Sequence, residues 1–312
     1  MTVHRLIGSQ LAAIIFLVTA GTVSAQTQKE LLDELDRTIE EAESYVSAKE
    51  LRIKTIENTL HSRGVSPERQ YRIYGELFDE YQPFNYGKAV ETLDKQMEIA
   101  MLLGDKSKLN DVYLKEAMLN TAAGEFLEAR NDLARVDTTI FTKEQEIAYC
   151  NVQQRFWFDY DENLKGADKS MLRKVAYYRE RLLALADPSS SLSRYVTVRK
   201  YIDEKYFAQA DFINRHSLSR MDPASHDYAN LAYFQARICE SLNRREEMKN
   251  WFIRSAMADI KTATKDNASL FSLADALFKD GDYARAFKYS SFSLEDAIAF
   301  DAKLRQWQIS AI

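Results

Sequence analysis

Apolar residues recur three and four positions apart along almost the whole chain, which is the spacing of one face of an α-helix. We find no convincing stretch in which apolar and polar residues alternate with the period of two that a half-buried strand requires. The few breakers, nine glycines and four prolines, fall mostly between helical segments of about 12–20 residues. The pattern therefore predicts an all-α protein with a dozen or more helices.

The segment at residues 26–64 has a long amphipathic pattern that no glycine or proline interrupts before Gly64. Its apolar positions, spaced by three, four and seven residues, are Leu31, Leu32, Leu35, Ile39, Ala42, Val46, Ile53, Ile56 and Leu60. This spacing predicts one long amphipathic helix, which we regard as a candidate element for homodimerisation. Ser66 and Pro67 are typical of a helix N-cap and first helical position, so a new helix is expected there.

The chain at residues 65–305 carries an internal repeat, with a period of 38 residues in its C-terminal half. Three apolar columns share this spacing: Ala210, Met248 and Ala286; Val198, Ala236 and Ala274; and Ile213, Trp251 and Tyr289. One helix hairpin cannot bury its apolar stripe alone, whereas stacked hairpins bury it against their neighbours. We therefore expect a repeated unit made of one helix pair.

The decapeptide FKDGDYARAF raises the alternatives of a ligand site and a helix corner. Asp280 and Asp282 lack the further oxygen ligands that a Ca²⁺ loop supplies in sequence. The stretch also shares glycine–acidic–aromatic–x–x–alanine with GEFLEA at 124–129. We interpret both as hairpin corners, in which glycine permits a tight turn and the acidic residue caps the next helix. Tyr283 and Ala286 are then expected to be packing residues.

The turns GEFLEA and GDYARA, with Leu273, Ala274 and Leu277 ahead of the second, resemble those of the tetratricopeptide repeat family. The resemblance covers about residues 68–300. It implies a right-handed superhelix of stacked helix hairpins, a tetratricopeptide-like solenoid, which the long N-terminal helix precedes. The period of 38 exceeds the family's usual length of about 34 residues, so longer loops or helices are expected.

Residues 1–25 have the three parts of a secretory signal peptide: Arg5, an apolar run at 11–20, and small residues ending at Ala25. They predict an exported protein that is cleaved after Ala25. An uncleaved anchor is the alternative, because residues 6–25 are just long enough to span a bilayer. Beyond residue 25, no apolar run reaches the length of about 18 residues that marks a transmembrane candidate.

Composition and motifs argue against several classes of function. A formal net charge of −5, without a cluster of lysine or arginine, argues against nucleic-acid contact by this portion. The sequence has no motif for a phosphate loop, a nucleophile elbow or a zinc site, so we expect neither an enzyme nor a cofactor. Cys150 and Cys239 lie within apolar helical patterns, which predicts two buried thiols rather than a disulfide.

Four aromatic residues form a ladder with one rung per repeat. Its rungs, each 38 residues apart, are Trp157, Tyr195, Tyr233 and Phe271. Arg199 and Arg237 follow two of the rungs by one helical turn. The ladder either fills the core between repeats or lines a groove that stacks on a peptide or sugar, with the arginines donating charge-assisted hydrogen bonds. These six residues are the predicted binding site if the groove interpretation holds.

A narrower resemblance rests on the order of segments. The signal peptide, the long-helix pattern that spans Tyr45 to Ile53, the helical repeats and the final LRQWQISAI resemble the exported half of Bacteroidetes membrane-bound regulators. In that group an exported helical sensor precedes one membrane span, a coiled coil and a helix-turn-helix DNA-binding segment. The resemblance implies that the tail at 306–312 leads to a membrane span that this chain lacks.

The expected function follows from both resemblances. They imply an exported, periplasmic module that binds a protein or peptide and serves as the sensor portion of a membrane-tethered transcriptional regulator. Membrane contact is then expected through the signal peptide or the missing C-terminal span. The alternative is a stand-alone scaffold or adaptor for assembly in the cell envelope.

Overall fold

A computed structural model describes residues 27–163, 169–265 and 268–300. Within these residues the chain forms fourteen α-helices, one 3₁₀ turn and no β-strand, which confirms the all-α prediction. The helices are α1 (Gln28–Glu40), α2 (Ala42–Leu60), α3 (Pro67–Tyr81), α4 (Tyr86–Leu103), α5 (Lys106–Ala123), α6 (Phe126–Arg135), α7 (Lys143–Asn163), α8 (Lys169–Leu185), α9 (Ser191–Asp203), α10 (Phe207–Leu218), α11 (His226–Ser241), α12 (Arg245–Lys261), α13 (Ser269–Lys279) and α14 (Tyr283–Phe300). The predicted signal peptide at 1–25 and tail at 306–312 lie outside the described residues.

From α3 onward, the described helices pair into six hairpins: α3 with α4, α5 with α6, α7 with α8, α9 with α10, α11 with α12, and α13 with α14. Neighbouring hairpins stack through contacts such as α4 on α5, α10 on α11 and α12 on α13. Ala89, Ala129, Ala210 and Ala286, one near the start of each of four second helices, are almost fully buried. Small side chains there let the helices approach closely, so the tetratricopeptide-like solenoid is confirmed.

The corners inside the hairpins are left-handed backbone turns. Gly124 between α5 and α6 and Gly281 between α13 and α14 have φ of 83° and 86°. Lys205 and Asn243 adopt the same region, with φ of 63° and 57°, at the corners of the two intervening hairpins. Glycine adopts this region without the steric cost that a Cβ atom brings. The two glycine corners were therefore visible in the sequence, and the other two were not.

The structure corrects two details of the predicted corners. The Asp282 carboxylate accepts a hydrogen bond from the Arg285 amide at 3.1 Å, as a helix cap should, but the Glu125 side chain makes no such bond. Ala286 is buried, whereas Tyr283 is mostly exposed and its ring contacts the ring of Phe278. The prediction that Tyr283 is a packing residue was therefore wrong, because the last hairpin has no following hairpin to cover it in the described chain.

The N-terminal segment is also corrected, because the long helix predicted over 26–64 is two helices separated at Glu41. Glu41 has φ of −89° and ψ of 0°, and its carbonyl accepts a hydrogen bond from the Ser44 hydroxyl at 2.7 Å. The bend arises because the two helices pack on different parts of the solenoid: α1 lies against α12, and α2 lies against α3. We call α1 and α2 together the clasp.

The first helix of the clasp is anchored on the C-terminal hairpins. Leu31, Leu32 and Leu35 are buried in one core cluster with residues of α11 to α14. Next to them, the Asp36 carboxylate accepts hydrogen bonds from Arg285 and Lys288 of α14 at 3.0 and 2.9 Å. The apolar stripe of α1, which suggested a homodimer, is therefore covered within the chain, and the stripe no longer argues for that contact.

The two ends of the solenoid meet beside the clasp. The Lys265 amide, after α12, donates a hydrogen bond to the Pro83 carbonyl, between α3 and α4, at 2.8 Å. The rings of Tyr86 and Phe300, in the first and last hairpins, have centroids 6.4 Å apart. The hairpins thus form a closed turn rather than an open arc. None of the described helices is both long enough and apolar enough to cross a membrane.

Candidate functional site

The aromatic ladder lies on the first helices of four successive hairpins, α7, α9, α11 and α13, and each rung is half-buried. The rings of Tyr195 and Tyr233 both contact the ring of Phe234, with centroids 4.9 and 6.2 Å away. Tyr233 also meets Phe252 of α12 at 5.8 Å. These two rungs therefore pack between hairpins, as the core interpretation expects.

The outer rungs have different surroundings. The indole N–H of Trp157 donates a hydrogen bond to Gln153 Oε1 at 2.9 Å, and the Lys174 ammonium lies 3.4 Å from the ring centre. A cation at that distance already occupies one face of the indole. Phe271 is half-buried beside Leu270, which is fully buried. A stacking role for these two rings stays a prediction.

The two arginines that follow the ladder differ in their freedom. The guanidinium of Arg199 lies 3.9 Å from the centre of the Phe158 ring and 4.0 Å from the Asp159 carboxylate. Arg237 is exposed, and its Nη1 is 2.6 Å from Glu240 on its own helix. Arg199 is therefore held by neighbours from the preceding hairpin, whereas Arg237 has a solvated ion pair.

Two acidic residues that the sequence analysis passed over complete this surface. Burial raises the pKa of Glu162, and the nearby Arg199 and Arg237 act against that rise. We call Asp159, Glu162, Arg199 and Arg237 the arginine strip; it spans α7, α9 and α11. Asp159 and Glu162 begin a degraded Ca²⁺-loop pattern, DYDEN, whose failure as a metal site hid their electrostatic role. Their position just after the rung Trp157 was the available signal.

A second candidate site is a pocket of about 440 Å³ where the clasp crosses the ends of the solenoid. We call it the clasp pocket. Its lining side chains are Lys49, Ile56, Glu76, Asp79, Glu80, Pro83, His226, Thr262 and Thr264. They come from α2, α3, the loop after α3, the start of α11 and the segment after α12. No repeat period connects these positions, so the sequence analysis could not find this pocket.

The electrostatics of the clasp pocket are uneven. Lys49, with 5% of its surface exposed, places its ammonium 3.1 Å from the Glu80 carboxylate and 5.9 Å from the centre of the Phe84 ring. Burial raises the pKa of Asp79, an effect that Lys115 opposes. On the other side of the pocket, Thr264 Oγ1 is 3.3 Å from a ring nitrogen of His226. The pocket thus combines one neutralised carboxylate with a carboxylate that is costly to ionise.

The remaining candidates have structural roles. The Asp280 carboxylate is bound by Arg245 and Lys249 of α12, at 2.5 and 2.7 Å, which confirms the corner interpretation. Cys150 and Cys239 are buried free thiols, as predicted, and burial raises the pKa of each to about 11. The described residues contain no group of three or more His, Cys, Asp or Glu side chains placed to hold a metal ion.

Stacked hairpins with one aromatic rung per first helix define a helical-repeat module of the tetratricopeptide class, a fold that typically serves protein interaction. The family model described as the SusR N-terminal TPR domain matches residues 39–311. The chain therefore belongs to that family. The match confirms the tetratricopeptide resemblance and agrees with the resemblance to the sensor half of Bacteroidetes regulators. No curated protein matches the chain.

Proposed function

We propose that the chain is the exported, periplasmic sensor portion of a membrane-tethered transcriptional regulator and that it binds a protein or peptide. The family match over residues 39–311 is the observation that carries the sensor role. The signal-like pattern at residues 1–25 supports export. Solenoids of stacked hairpins offer extended surfaces for binding, which supports a binding partner rather than a catalysed reaction.

The arginine strip is the surface that suits such a partner best. Arg237 is half exposed, and a surface ion pair such as the one with Glu240 exchanges for a partner's carboxylate at little cost. Arg199 lies against the Phe158 ring, so its guanidinium has a defined position. Arginine binds carboxylates through two parallel hydrogen bonds. A peptide with an acidic side chain or a free carboxyl terminus therefore fits this pair.

The clasp supplies a path from binding to output. Because α1 packs on the C-terminal hairpins and α2 packs on the first hairpin, a change in stacking between hairpins would move the chain's two ends relative to each other. A regulator tethered to the membrane needs such a change to reach its cytoplasmic part.

The test compares transcripts of the parent strain with those of a gene deletion, which defines the regulated genes. A strain with Arg199→Ala and Arg237→Ala combined should then lose their induction by about tenfold or more, with an unchanged amount of protein on immunoblots. Arg220→Ala removes an exposed arginine outside the strip and should leave induction intact. A deletion that changes no transcripts would exclude the sensor role.

A second candidate is a scaffold or adaptor of the cell envelope, favoured by an exposed apolar patch at the last hairpin. Phe278, Tyr283 and Phe287 are each more than half exposed, and two of their rings are in contact. Exposed apolar patches often mark protein interaction sites. If Phe287→Ser removed one stable envelope complex from crosslinked cells while the regulated transcripts stayed unchanged, the scaffold would replace the sensor.

A further inference from the structure

We infer that the clasp pocket binds a ligand through an alkylammonium or guanidinium group, held by the carboxylates of Asp79 and Glu76. This inference names a ligand class for the proposed sensor, and only its biological meaning rests on that function. It concerns a different surface from the arginine strip. The argument rests on the charges, the shape and the position of the pocket.

The first argument is unbalanced charge. The lining carries three carboxylates and one ammonium, that of Lys49, and this ammonium is already paired with Glu80 at 3.1 Å. The guanidinium of Arg52 approaches the same carboxylate at 3.7 Å. Among the described residues, Glu76 and Asp79 have neither an ion pair within 4.0 Å nor a side-chain hydrogen bond. Two negative charges thus face the pocket without a partner.

The second argument is the environment of Asp79. Its side chain reaches solvent, yet the surrounding protein raises the pKa of its carboxyl, and Glu80 and Glu76 add to that rise. The Lys115 ammonium opposes the rise from a greater distance than an ion pair, while it lies 5.0 Å from the centre of the Phe78 ring. A bound cation would stabilise the ionised carboxylate that the protein leaves uncompensated.

The third argument is shape. A volume of about 440 Å³ lies within the range of small-molecule sites, roughly 300–1,000 Å³. Ile56 and Pro83 provide apolar surface for methylene groups, and the Thr262 and Thr264 hydroxyls provide polar contacts. None of the lining side chains that the structure describes is aromatic, so the pocket lacks the platform on which a sugar ring or nucleobase would stack. The lining favours a flexible cation over a planar or cyclic neutral ligand.

The position of the pocket gives binding a consequence. Glu76 and Asp79 belong to the first hairpin, Ile56 belongs to the clasp, and Thr264 follows α12 of the fifth hairpin. A ligand in the pocket would contact all three and hold the closed turn together. Occupancy would therefore raise the stability of the clasp, because a ligand that binds only the closed form stabilises it by mass action.

The test is titration calorimetry on the purified full chain with cadaverine, a diamine, and with its neutral diol analogue. Cadaverine should bind with an affinity that falls as salt concentration rises, and the diol should not bind. Asp79→Asn combined with Glu76→Gln keeps side-chain size and should weaken binding about tenfold or more. Glu68→Gln makes the same charge change at an exposed position of α3 outside the pocket and should leave the affinity unchanged.

A blocked peptide with one lysine identifies the source of the cation. If it binds and cadaverine does not, the inference stands with a peptide side chain as the ligand group. Equal binding of the diol, equal weakening by Glu68→Gln, or no binding by either cation would overturn it. Binding of a cation with no change in the regulated transcripts would retain the pocket and reject the sensor role, whereas the reverse result would reject the pocket alone.

Discussion

The two helices of the clasp contact the solenoid in contrasting ways. On α1, the apolar side chains are buried, and Asp36 is bound by Arg285, Lys288 and the hydroxyl of Tyr289. On α2, which crosses the pocket, Lys49 and Ile53 are the buried residues, and the facing α3 presents unpaired carboxylates. A contact in which every charge has a partner holds a structure together. A contact that leaves charge unpaired destabilises it and is expected where a ligand binds.

The largest expected effect tests whether α1 is the anchor. Leu35→Ala removes a fully buried side chain and should lower the free energy of unfolding by about 2–5 kcal/mol, measured by urea denaturation. Leu51→Ala makes the same substitution on α2 at a side chain that is 66% exposed, and should change it by less than about 0.5 kcal/mol. Similar losses from the two variants would mean that the helices contribute equally.

A smaller effect should follow from Asp36→Asn. Burial alone would raise the pKa of Asp36, but hydrogen bonds from Lys288 and Arg285 outweigh it and hold the pKa below its usual range. The variant should lose about 1–2 kcal/mol of unfolding free energy at neutral pH. Since the folded-state pKa is lowered, this contribution is present above the unfolded-state pKa and is lost as pH falls through the folded-state pKa.

Denaturation of both proteins at a series of pH values checks this sign. The difference between the parent and Asp36→Asn should shrink as the pH falls toward about 3. A difference that stays constant over that range would show that Asp36 contributes through packing rather than through its charge.

The smallest effect, of the opposite sign, is expected from Asp79→Asn. The pKa of Asp79 is raised in the folded protein, so its ionised form destabilises the fold above that pKa, and the penalty disappears as pH falls. The variant should therefore match or exceed the parent's stability at neutral pH by up to about 0.5 kcal/mol. Thermal unfolding measures this, and a clear loss of stability would place Asp79 among the structural charges.

The sequence predicted the fold well where a repeat unit has its own signal. The corners at Gly124 and Gly281 were found because glycine at a left-handed turn is a local requirement. The corners at Lys205 and Asn243 were missed, because those residues pay the steric cost of the same backbone and carry no distinctive pattern. The break at Glu41 was missed for a related reason: it is imposed by the two surfaces on which α1 and α2 pack.

The candidate sites follow the same division. Tyr195 and Tyr233 repeat with the hairpins, so their placement between hairpins could be predicted, although their period could not decide between core and groove. The clasp pocket joins Lys49 and Asp79 to Thr264, which lie far apart in sequence. Such a pocket exists only after the turn has closed, and no local pattern encodes it.

The ion pair between Asp36 and Arg285 has a consequence for how the chain is made. Its two residues are separated by 249 positions, so the helix that leaves the ribosome first finds its partner only when the last hairpin has emerged. Hairpins in an open solenoid can form one after another, each against its neighbour. Here the final step joins beginning to end, and a chain still being synthesised or threaded through a translocation channel stays short of that step.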